Sequence, residues 1–155
     1  MNNSTSYWLK KGIHNGMPIA LGYLAVSFTL GIAAKNAGLT ALQAALASIT
    51  CHASAGEFAG FTLIAALAAY TEIAVMELII NARYFLMSCA LSQKLDNKMP
   101  FFHRLIMGLF VTDEIFGLTV SVPEKLNPAY MYGMVLVASP AWVLGTYFGV
   151  LFGNI

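Results

Sequence analysis

Charged side chains are scarce in this chain. Asp, Glu, Lys and Arg make up 10% of its 155 residues, against roughly 25% in soluble globular domains. They are absent from residues 12–34, 36–56 and 126–155. Each of these runs reaches or exceeds the ~20 apolar residues that a helix needs to cross the hydrocarbon core of a bilayer. A water-soluble fold would not need such runs, and the sequence predicts an all-α integral membrane protein in a lipid bilayer.

Cysteine and dense basic clusters are also nearly absent. The two cysteines, Cys51 and Cys89, lie in apolar segments, which favours small buried thiols over a disulfide or a metal site. His52 beside Cys51 has no companion at ligand spacing, so we expect neither a metal nor another cofactor. A net charge of +1 without a basic patch argues against nucleic acid as a partner.

The first apolar stretch predicts a membrane helix over residues 13–34. It is longer than the ~7–15-residue apolar region of a signal peptide, so we interpret it as a retained helix. Small residues and one tyrosine recur along it at helical spacing, which predicts a face that another backbone can approach closely. These residues are Gly16, Ala20, Tyr23, Ser27, Gly31 and Ala34.

Residues 40–70 form a second apolar segment, which as one straight helix would be about 46 Å long. That length exceeds the ~30 Å thickness of the hydrocarbon core of a bilayer. Ser54 and Glu57 match the S-x-x-E capping box that starts a helix, as Thr40 and Gln43 do at the beginning of the segment. We therefore expect two short helices, one ending near residue 52 and one starting near residue 55, in a re-entrant or broken hairpin.

Basic residues predict which ends of the helices face the cytoplasm. They cluster before the first helix and between two later apolar stretches, 72–91 and 105–122, the second of which belongs to a predicted helix over residues 102–122. The clusters consist of Lys10 and Lys11, and of Lys94, Lys98 and Arg104. The positive-inside rule places both clusters, and with them the N-terminus, on the cytoplasmic side of the cell membrane.

The remaining segments complete the predicted layout. Helix 102–122 crosses outward, the turn 123–128 is external, and the last helix, 129–152, returns inward with a kink at Pro140. The last helix is thus predicted to run antiparallel to the first. We expect residues 1–155 to form a single transmembrane domain, a helical bundle that contains the re-entrant or broken hairpin.

Ionisable side chains within the hydrocarbon are costly and mark functional sites in membrane proteins. In helix 72–91, four polar residues at spacings i, i+4, i+7 and i+11 share one face. They are Glu77, Asn81, Tyr84 and Ser88. This stripe predicts either interhelical hydrogen bonds or the lining of a substrate path, with Glu77 as a candidate for proton coupling.

Arg83 lies about 120° around the helix from that stripe. Its guanidinium could clamp a substrate carboxylate with two hydrogen bonds, although a structural pair with an acidic residue of another helix is favoured. Asp113 and Glu114 are the acidic candidates, and adjacent positions diverge by about 100° around a helix. One can pair with Arg83 while the other takes part in proton coupling. The alternative is a static buried ion pair.

The break at residues 54–57 is the second candidate site. A capping box accounts for Glu57 without any ligand. Alternatively, backbone amides at the start of this half-helix bind a substrate carboxylate, and Glu57 accepts the substrate ammonium group. The candidate substrate-binding residues are therefore Ser54, Gly56, Glu57, Asn81 and Arg83.

Several short patterns occur in a fixed order along nearly the whole chain from Gly12 onward. They are Gly16-Met17-Pro18 with Gly22-Tyr23, Gly56-Glu57-Phe58, Asn81-Ala82-Arg83 with Leu86-Met87, Thr112-Asp113-Glu114, and Trp142 with Leu144-Gly145-Thr146 and Gly149. In this order the sequence resembles the AzlC family, the large subunit of branched-chain amino acid exporters. Glu57 departs from the family pattern, in which Gln is common at this position.

The resemblance implies export of hydrophobic amino acids, driven by an ion gradient, in complex with a small AzlD-like subunit in the cell inner membrane. Family members usually continue with further membrane helices, so we expect a truncated form, a fragment, or a short variant that depends on its partner. The sequence is also compatible with a homo-oligomer. The alternative function is a non-transporting membrane scaffold or assembly subunit. An enzyme is not expected, because no nucleophile–base pair or metal-ligand spacing stands out.

Overall fold

The computed structural model describes residues 4–123 and 125–153, so Glu124 of the predicted turn lies outside the described residues. The regular secondary structure of the described residues is entirely α-helical, as predicted. The helices in chain order are α1 (Thr5–Asn36), α2 (Ala41–Cys51), α3 (Ser54–Ala65), α4 (Tyr70–Lys94), α5 (Phe101–Leu109), α6 (Asp113–Val120) and α7 (Pro128–Phe152).

Among the described helices, α1, α4 and α7 are long and apolar enough to cross a membrane. Helix α1 starts at Thr5, before the predicted residue 13, and therefore includes the two lysines that precede the apolar stretch. Helix α4 is longer than the predicted helix 72–91 by two residues at its start and three at its end. Helix α7 starts one residue before the predicted helix 129–152 and ends at the same residue. The class of an all-helical membrane protein follows from these three helices.

The chain folds into two compact units. The first unit consists of Met1–Ile19 and Arg83–Ala138, and the second consists of Ala20–Ala82 and Ser139–Ile155. Helices α1, α4 and α7 each contribute residues to both units. The single domain expected over residues 1–155 stays a prediction.

The core of the first unit is an apolar cluster contributed by α4, α5, α6, α7 and the loops next to them. Met107 and Ile115 at its centre are 1% and 0% exposed. The buried members of the cluster are Leu91, Leu95, Met107, Val111, Ile115, Val122, Leu126, Tyr130, Met131 and Met134. This core fixes the short helices α5 and α6 against the two long ones.

The prediction of one outward-crossing helix over residues 102–122 is wrong. The helix is broken between α5 and α6, which have 9 and 8 residues and are only about 13 and 12 Å long. After α6 the chain returns to the end of α4, where the Leu126 amide donates to the Lys94 carbonyl across 2.9 Å. The Lys94 ammonium in turn donates to the Val122 carbonyl across 2.6 Å. Helices α5 and α6 therefore form a helical hairpin that returns the chain to the end of α4.

As a consequence, the predicted antiparallel orientation of the first and last helices is also wrong. In the first unit, Gly12 of α1 packs on the backbone of Tyr130 at the start of α7. In the second unit, Gly31 packs on the backbone of Thr146, and Lys35 donates to the Gly153 carbonyl across 3.0 Å. Residue numbers increase together along both helices, so α1 and α7 run parallel within each unit.

The predicted small-residue face of α1 is confirmed, since all six of its residues are buried. In the second unit this face lies against α7 with almost no space between the backbones. A Cβ atom on Gly149 would collide with the Phe28 carbonyl, and one on Gly145 would collide with the Ser27 hydroxyl. Glycine is therefore required at these positions because the two backbones approach more closely than any larger residue allows.

Candidate functional site

The predicted break in the segment 40–70 lies between α2 and α3. His52 ends α2 in the left-handed region, with φ 50°, and Ala53 is extended. The capping box of Thr40 and Gln43 at the start of α2 is present as predicted. The capping box predicted for Ser54 and Glu57 is wrong, because Ala53 is the N-cap residue of α3 and makes no side-chain cap. Glu57 is then one position too late to cap the helix.

Glu57 instead points into the interior of the second unit, where it is 2% exposed. One carboxylate oxygen, Oε1, accepts a hydrogen bond from the indole Nε1 of Trp142 on α7 across 2.7 Å. The other, Oε2, lies 2.7 Å from the Ser48 hydroxyl of α2. The Ser48 hydroxyl also lies 2.8 Å from that of Thr146 on α7. A buried carboxyl is thus held by neutral hydrogen-bonding groups from two other helices.

Aromatic rings enclose this polar cluster. The Trp142 ring lies edge-on to Tyr23 of α1, with centroids 5.0 Å apart, and edge-on to His52 at 6.0 Å. The ring Nε2 of His52 is 3.1 Å from the Ser139 hydroxyl of α7. The side chain of His52, at the left-handed end of α2, therefore contacts α7 through Ser139.

Glu77 and Asn81 of α4 approach α3 on the other side of the break. The Asn81 carboxamide Nδ2 donates to Glu77 Oε2 across 2.8 Å. A Cβ atom on Gly56 would lie only 2.6 Å from Glu77 Oε2, and one on Gly60 would lie 3.1 Å from Glu77 Oε1. The two glycines, one helical turn apart, let the polar residues of α4 reach the α3 backbone.

A cavity of about 280 Å³ opens at this place in the second unit. Its apolar wall contains Ala47, Phe61 and Ile64, and the acidic residues Glu57 and Glu77 also line it. The remaining lining residues are Thr50, Cys51 and Gly60. The volume is close to the lower end of the ~300–1,000 Å³ range of ligand pockets, which suits a small solute.

The Asn81 side chain also has an unused acceptor. Its Oδ1 atom is shielded from solvent and accepts no hydrogen bond from the described residues. Exchanging the amide oxygen and nitrogen would set the oxygen against the Glu77 carboxylate, so the assignment follows from the network. Buried polar atoms without a partner are costly, which makes this oxygen a place where a ligand N–H group would be stabilised.

The predicted ion pair of Arg83 is present in the first unit. The guanidinium of Arg83 on α4 lies 2.9 Å from the Asp113 carboxylate at the start of α6. The side chains are 43% and 44% exposed, and Glu114 beside them is exposed as well. These three candidates belong to the first unit, whereas Ser54, Gly56, Glu57, Glu77 and Asn81 belong to the second.

The residues that form the hydrogen-bond network of Glu57 were not among the predicted site residues, although two of them occur in the family pattern: Ser48, Trp142 and Thr146. Their contacts to Glu57 or to each other span between 9 and 98 positions along the chain. One signal was available, because hydroxyl residues within apolar helices often form interhelical hydrogen bonds. Trp142 and Thr146 are also four residues apart, which places them on the same face of α7.

Comparison with known proteins gives a family match over most of the chain. The family model described as AzlC protein matches residues 18–155. An uncharacterized membrane protein of Archaeoglobus fulgidus is 34% identical over 151 residues, which cover 97% of this chain and 65% of the relative. No solved structure matches.

More distant relatives are also membrane proteins by name. The inner membrane protein YgaZ of Escherichia coli is 22% identical over 148 residues, covering 93% of this chain and 60% of that protein. An uncharacterized membrane protein of Helicobacter pylori is 26% identical over 151 residues, covering 94% of this chain and 64% of the relative. The chain thus spans about 60 to 65% of the length of the curated relatives it matches.

Proposed function

The chain belongs to the AzlC family of membrane proteins, and on that premise we propose that it is a subunit of a secondary transporter. Its substrates are branched-chain or other hydrophobic amino acids, which it exports at the expense of an ion gradient. The observation that carries this proposal is the cavity at the α2–α3 break, where the partly buried Glu77 and apolar side chains line the same space. An amino acid with an apolar side chain needs an acidic acceptor for its ammonium group and an apolar surface for its side chain.

The cavity suggests a role for each part of the substrate. Glu77 is only partly buried and lines the cavity, so its carboxylate accepts the substrate ammonium group, with Asn81 Oδ1 as a second acceptor. Phe61 and Ile64 contact the apolar side chain. The substrate carboxylate lies at the amino end of α3, where unpaired backbone amides and the helix dipole favour an anion. Glu57 is already held by two donors and is not the ammonium acceptor.

We also propose that the N-terminus is cytoplasmic. The second hairpin returns the chain to the end of α4, so Lys125 joins the basic residues there and donates to the Gln93 carbonyl across 2.9 Å. In the same unit, Trp8 near the start of α1 packs against Tyr130 near the start of α7. Lys10, Lys11, Lys94, Lys98, Arg104 and Lys125 of the first unit then lie near one membrane face, and the positive-inside rule makes that face cytoplasmic.

A partner subunit is part of the proposal. Arg83 and Asp113 lie on helices of a membrane protein and are nearly half exposed, although charged groups facing hydrocarbon are costly. A small AzlD-like membrane protein, or a second copy of this chain, would shield the pair. In the longer relatives, the segment that this chain does not match is a third candidate for shielding the pair.

Flux of labelled leucine or valine into proteoliposomes tests the transport function. The proposal expects net movement of label when a proton gradient is imposed and none when it is collapsed. Binding of leucine without gradient-dependent movement would instead support the second candidate, a membrane scaffold or assembly subunit. Absence of both binding and movement, with the chain reconstituted alone and together with an AzlD-like subunit, would contradict the transporter function.

A further inference from the structure

We infer that Glu57 exchanges a proton with the cavity, and that the Ser48 and Thr146 hydroxyls form a reversible hydrogen-bond chain that satisfies both its charged and its neutral form. This inference rests on the proposed transport function only in what the proton exchange is for, namely the coupling of transport to a proton gradient. The proton chemistry itself depends on the geometry around Glu57. One O–H bond forms at Glu57 Oε2 when a proton arrives from cavity water, and the same bond breaks when the proton leaves.

The chain consists of four oxygen atoms in sequence. Glu57 Oε2 is 2.7 Å from Ser48 Oγ, which is 2.8 Å from Thr146 Oγ1, which is 3.3 Å from the Trp142 carbonyl oxygen. Ser48 and Thr146 are both 0% exposed, so water does not compete for their hydroxyls. Each hydroxyl carries one hydrogen and can either donate or accept along the chain.

In the ionised form every hydroxyl points towards Glu57. Thr146 donates to Ser48, Ser48 donates to Oε2, and Trp142 Nε1 donates to Oε1. The carboxylate thus accepts two hydrogen bonds, which stabilise a buried charge.

In the protonated form the same chain reverses. Glu57 Oε2 now donates to Ser48, Ser48 donates to Thr146, and Thr146 donates to the Trp142 carbonyl. Oε1 still accepts from Trp142 Nε1. Only the hydroxyl hydrogens have rotated, and no buried donor loses its acceptor. A fixed donor in place of either hydroxyl would stabilise one form alone, whereas two hydroxyls in series serve both.

The titratable groups around Glu57 belong to several elements of the second unit. Glu77 of α4 and Cys51 of α2 line the cavity together with Glu57. His52 follows α2, and Tyr23 of α1 packs on Trp142. Among the described residues no Lys or Arg makes an ion pair with Glu57.

Infrared difference spectroscopy of the purified full chain tests the protonation of Glu57. Wild type should show a carboxyl C=O band that rises and falls with pH. Glu57→Gln should remove the part of that band that comes from Glu57, because the variant has no carboxyl group there, while its amide group still donates to Ser48 and accepts from Trp142. Glu72→Gln, which changes an exposed carboxyl at the start of α4, should retain it. A pH difference spectrum of Glu57→Gln that is identical to that of wild type overturns the inference.

A matched pair at Thr146 tests the hydroxyl chain. Thr146→Val keeps the shape but removes the hydroxyl, so Ser48 loses its acceptor only when Glu57 is protonated. We expect the ratio of protonated to ionised Glu57 at a given pH to fall about tenfold. Thr146→Ser keeps the hydroxyl and should leave the ratio within about twofold of wild type. Equal ratios in the two variants would overturn the chain as described, and this readout requires no transport.

Transport assays separate this inference from the proposed function. In Glu57→Gln proteoliposomes, exchange of labelled for unlabelled leucine should continue, while accumulation driven by a proton gradient should be lost. Gradient-driven accumulation in Glu57→Gln equal to that of wild type would overturn the inference but leave the transporter function intact. Absence of leucine movement in wild type would contradict the transporter function, and the infrared result would still decide the proton chemistry.

Discussion

The indole N–H of Trp142 donates a 2.7 Å hydrogen bond to Glu57, a carboxyl that is 2% exposed. This bond joins α7 to the helix that follows the break between α2 and α3. It also explains why a carboxyl group is tolerated at this depth, since a buried charge needs directed donors. Loss of the indole donor should therefore lower the free energy of unfolding of the chain.

Trp142→Phe should destabilise the protein by about 1–3 kcal/mol, because it removes a hydrogen bond to a buried carboxyl group while keeping an aromatic ring. The free energy of unfolding can be measured by SDS titration of the purified chain. Trp8→Phe is the control, since Trp8 is a half-buried tryptophan of the first unit. Equal losses in the two variants would show that the Trp142–Glu57 bond contributes little.

Gly149→Ala should destabilise the protein by about 1–3 kcal/mol, because the added methyl group meets the Phe28 carbonyl and forces α1 and α7 apart. Gly22→Ala is the matched control on α1, where a Cβ atom has no neighbour within 4 Å. Its higher helix propensity should leave stability unchanged or raise it by up to about 1 kcal/mol. Thermal unfolding in detergent distinguishes the two, and a neutral Gly149→Ala would refute the close packing.

Arg83→Ala and Asp113→Ala should each be less stable than the double variant. Each single change leaves one charge without its partner on a membrane helix, at a cost of about 2.5–3.5 kcal/mol on insertion scales, and the double change removes both charges. A double-mutant cycle measured by unfolding gives the coupling between the two residues. Strictly additive losses would mean that the pair is fully hydrated and contributes nothing.

Cysteine labelling tests the second hairpin. In a background with Cys51 and Cys89 replaced by serine, Ser121→Cys and Lys98→Cys should react with a membrane-impermeant reagent from the same side. Asn36→Cys at the end of α1 should react from the opposite side. Labelling of Ser121→Cys and Lys98→Cys from opposite faces would restore the single crossing helix over residues 102–122.

The sequence was sufficient for the membrane class, the long helices and the first broken hairpin, because uncharged runs and the excess length of residues 40–70 are local signals. The Ser54–Glu57 capping box that placed the break is absent from the structure. The second hairpin had a comparable signal. Thr112 followed by two acidic residues is an N-cap with a negatively charged first turn, and the Thr112 hydroxyl does accept from the Ile115 amide across 3.4 Å. The apolar residues on both sides of this cap nevertheless favour one continuous helix, which is why the sequence predicts a single crossing over residues 102–122.

The hydrogen-bond partners of Glu57 could not be predicted from the sequence, for a different reason. A shift of one residue in the start of α3 changes Glu57 from a capping residue at the helix surface to a buried acceptor. Sequence patterns do not fix helix ends to one residue. The partners of Glu57 come from α2 and from α7, and only the tertiary packing brings them together. Arg83 was more predictable, because a membrane-depth arginine requires an acidic partner and few acidic residues were available.

Equilibrium binding of labelled leucine tests the central claim most directly, that hydrophobic amino acids bind in the cavity beside α3. The measurement compares detergent-purified wild type, Glu77→Gln and the control Glu72→Gln. We predict saturable binding by wild type, affinity at least about tenfold weaker in Glu77→Gln because the ammonium loses a charged acceptor, and unchanged affinity in Glu72→Gln. Equal affinity in wild type and Glu77→Gln would contradict the account.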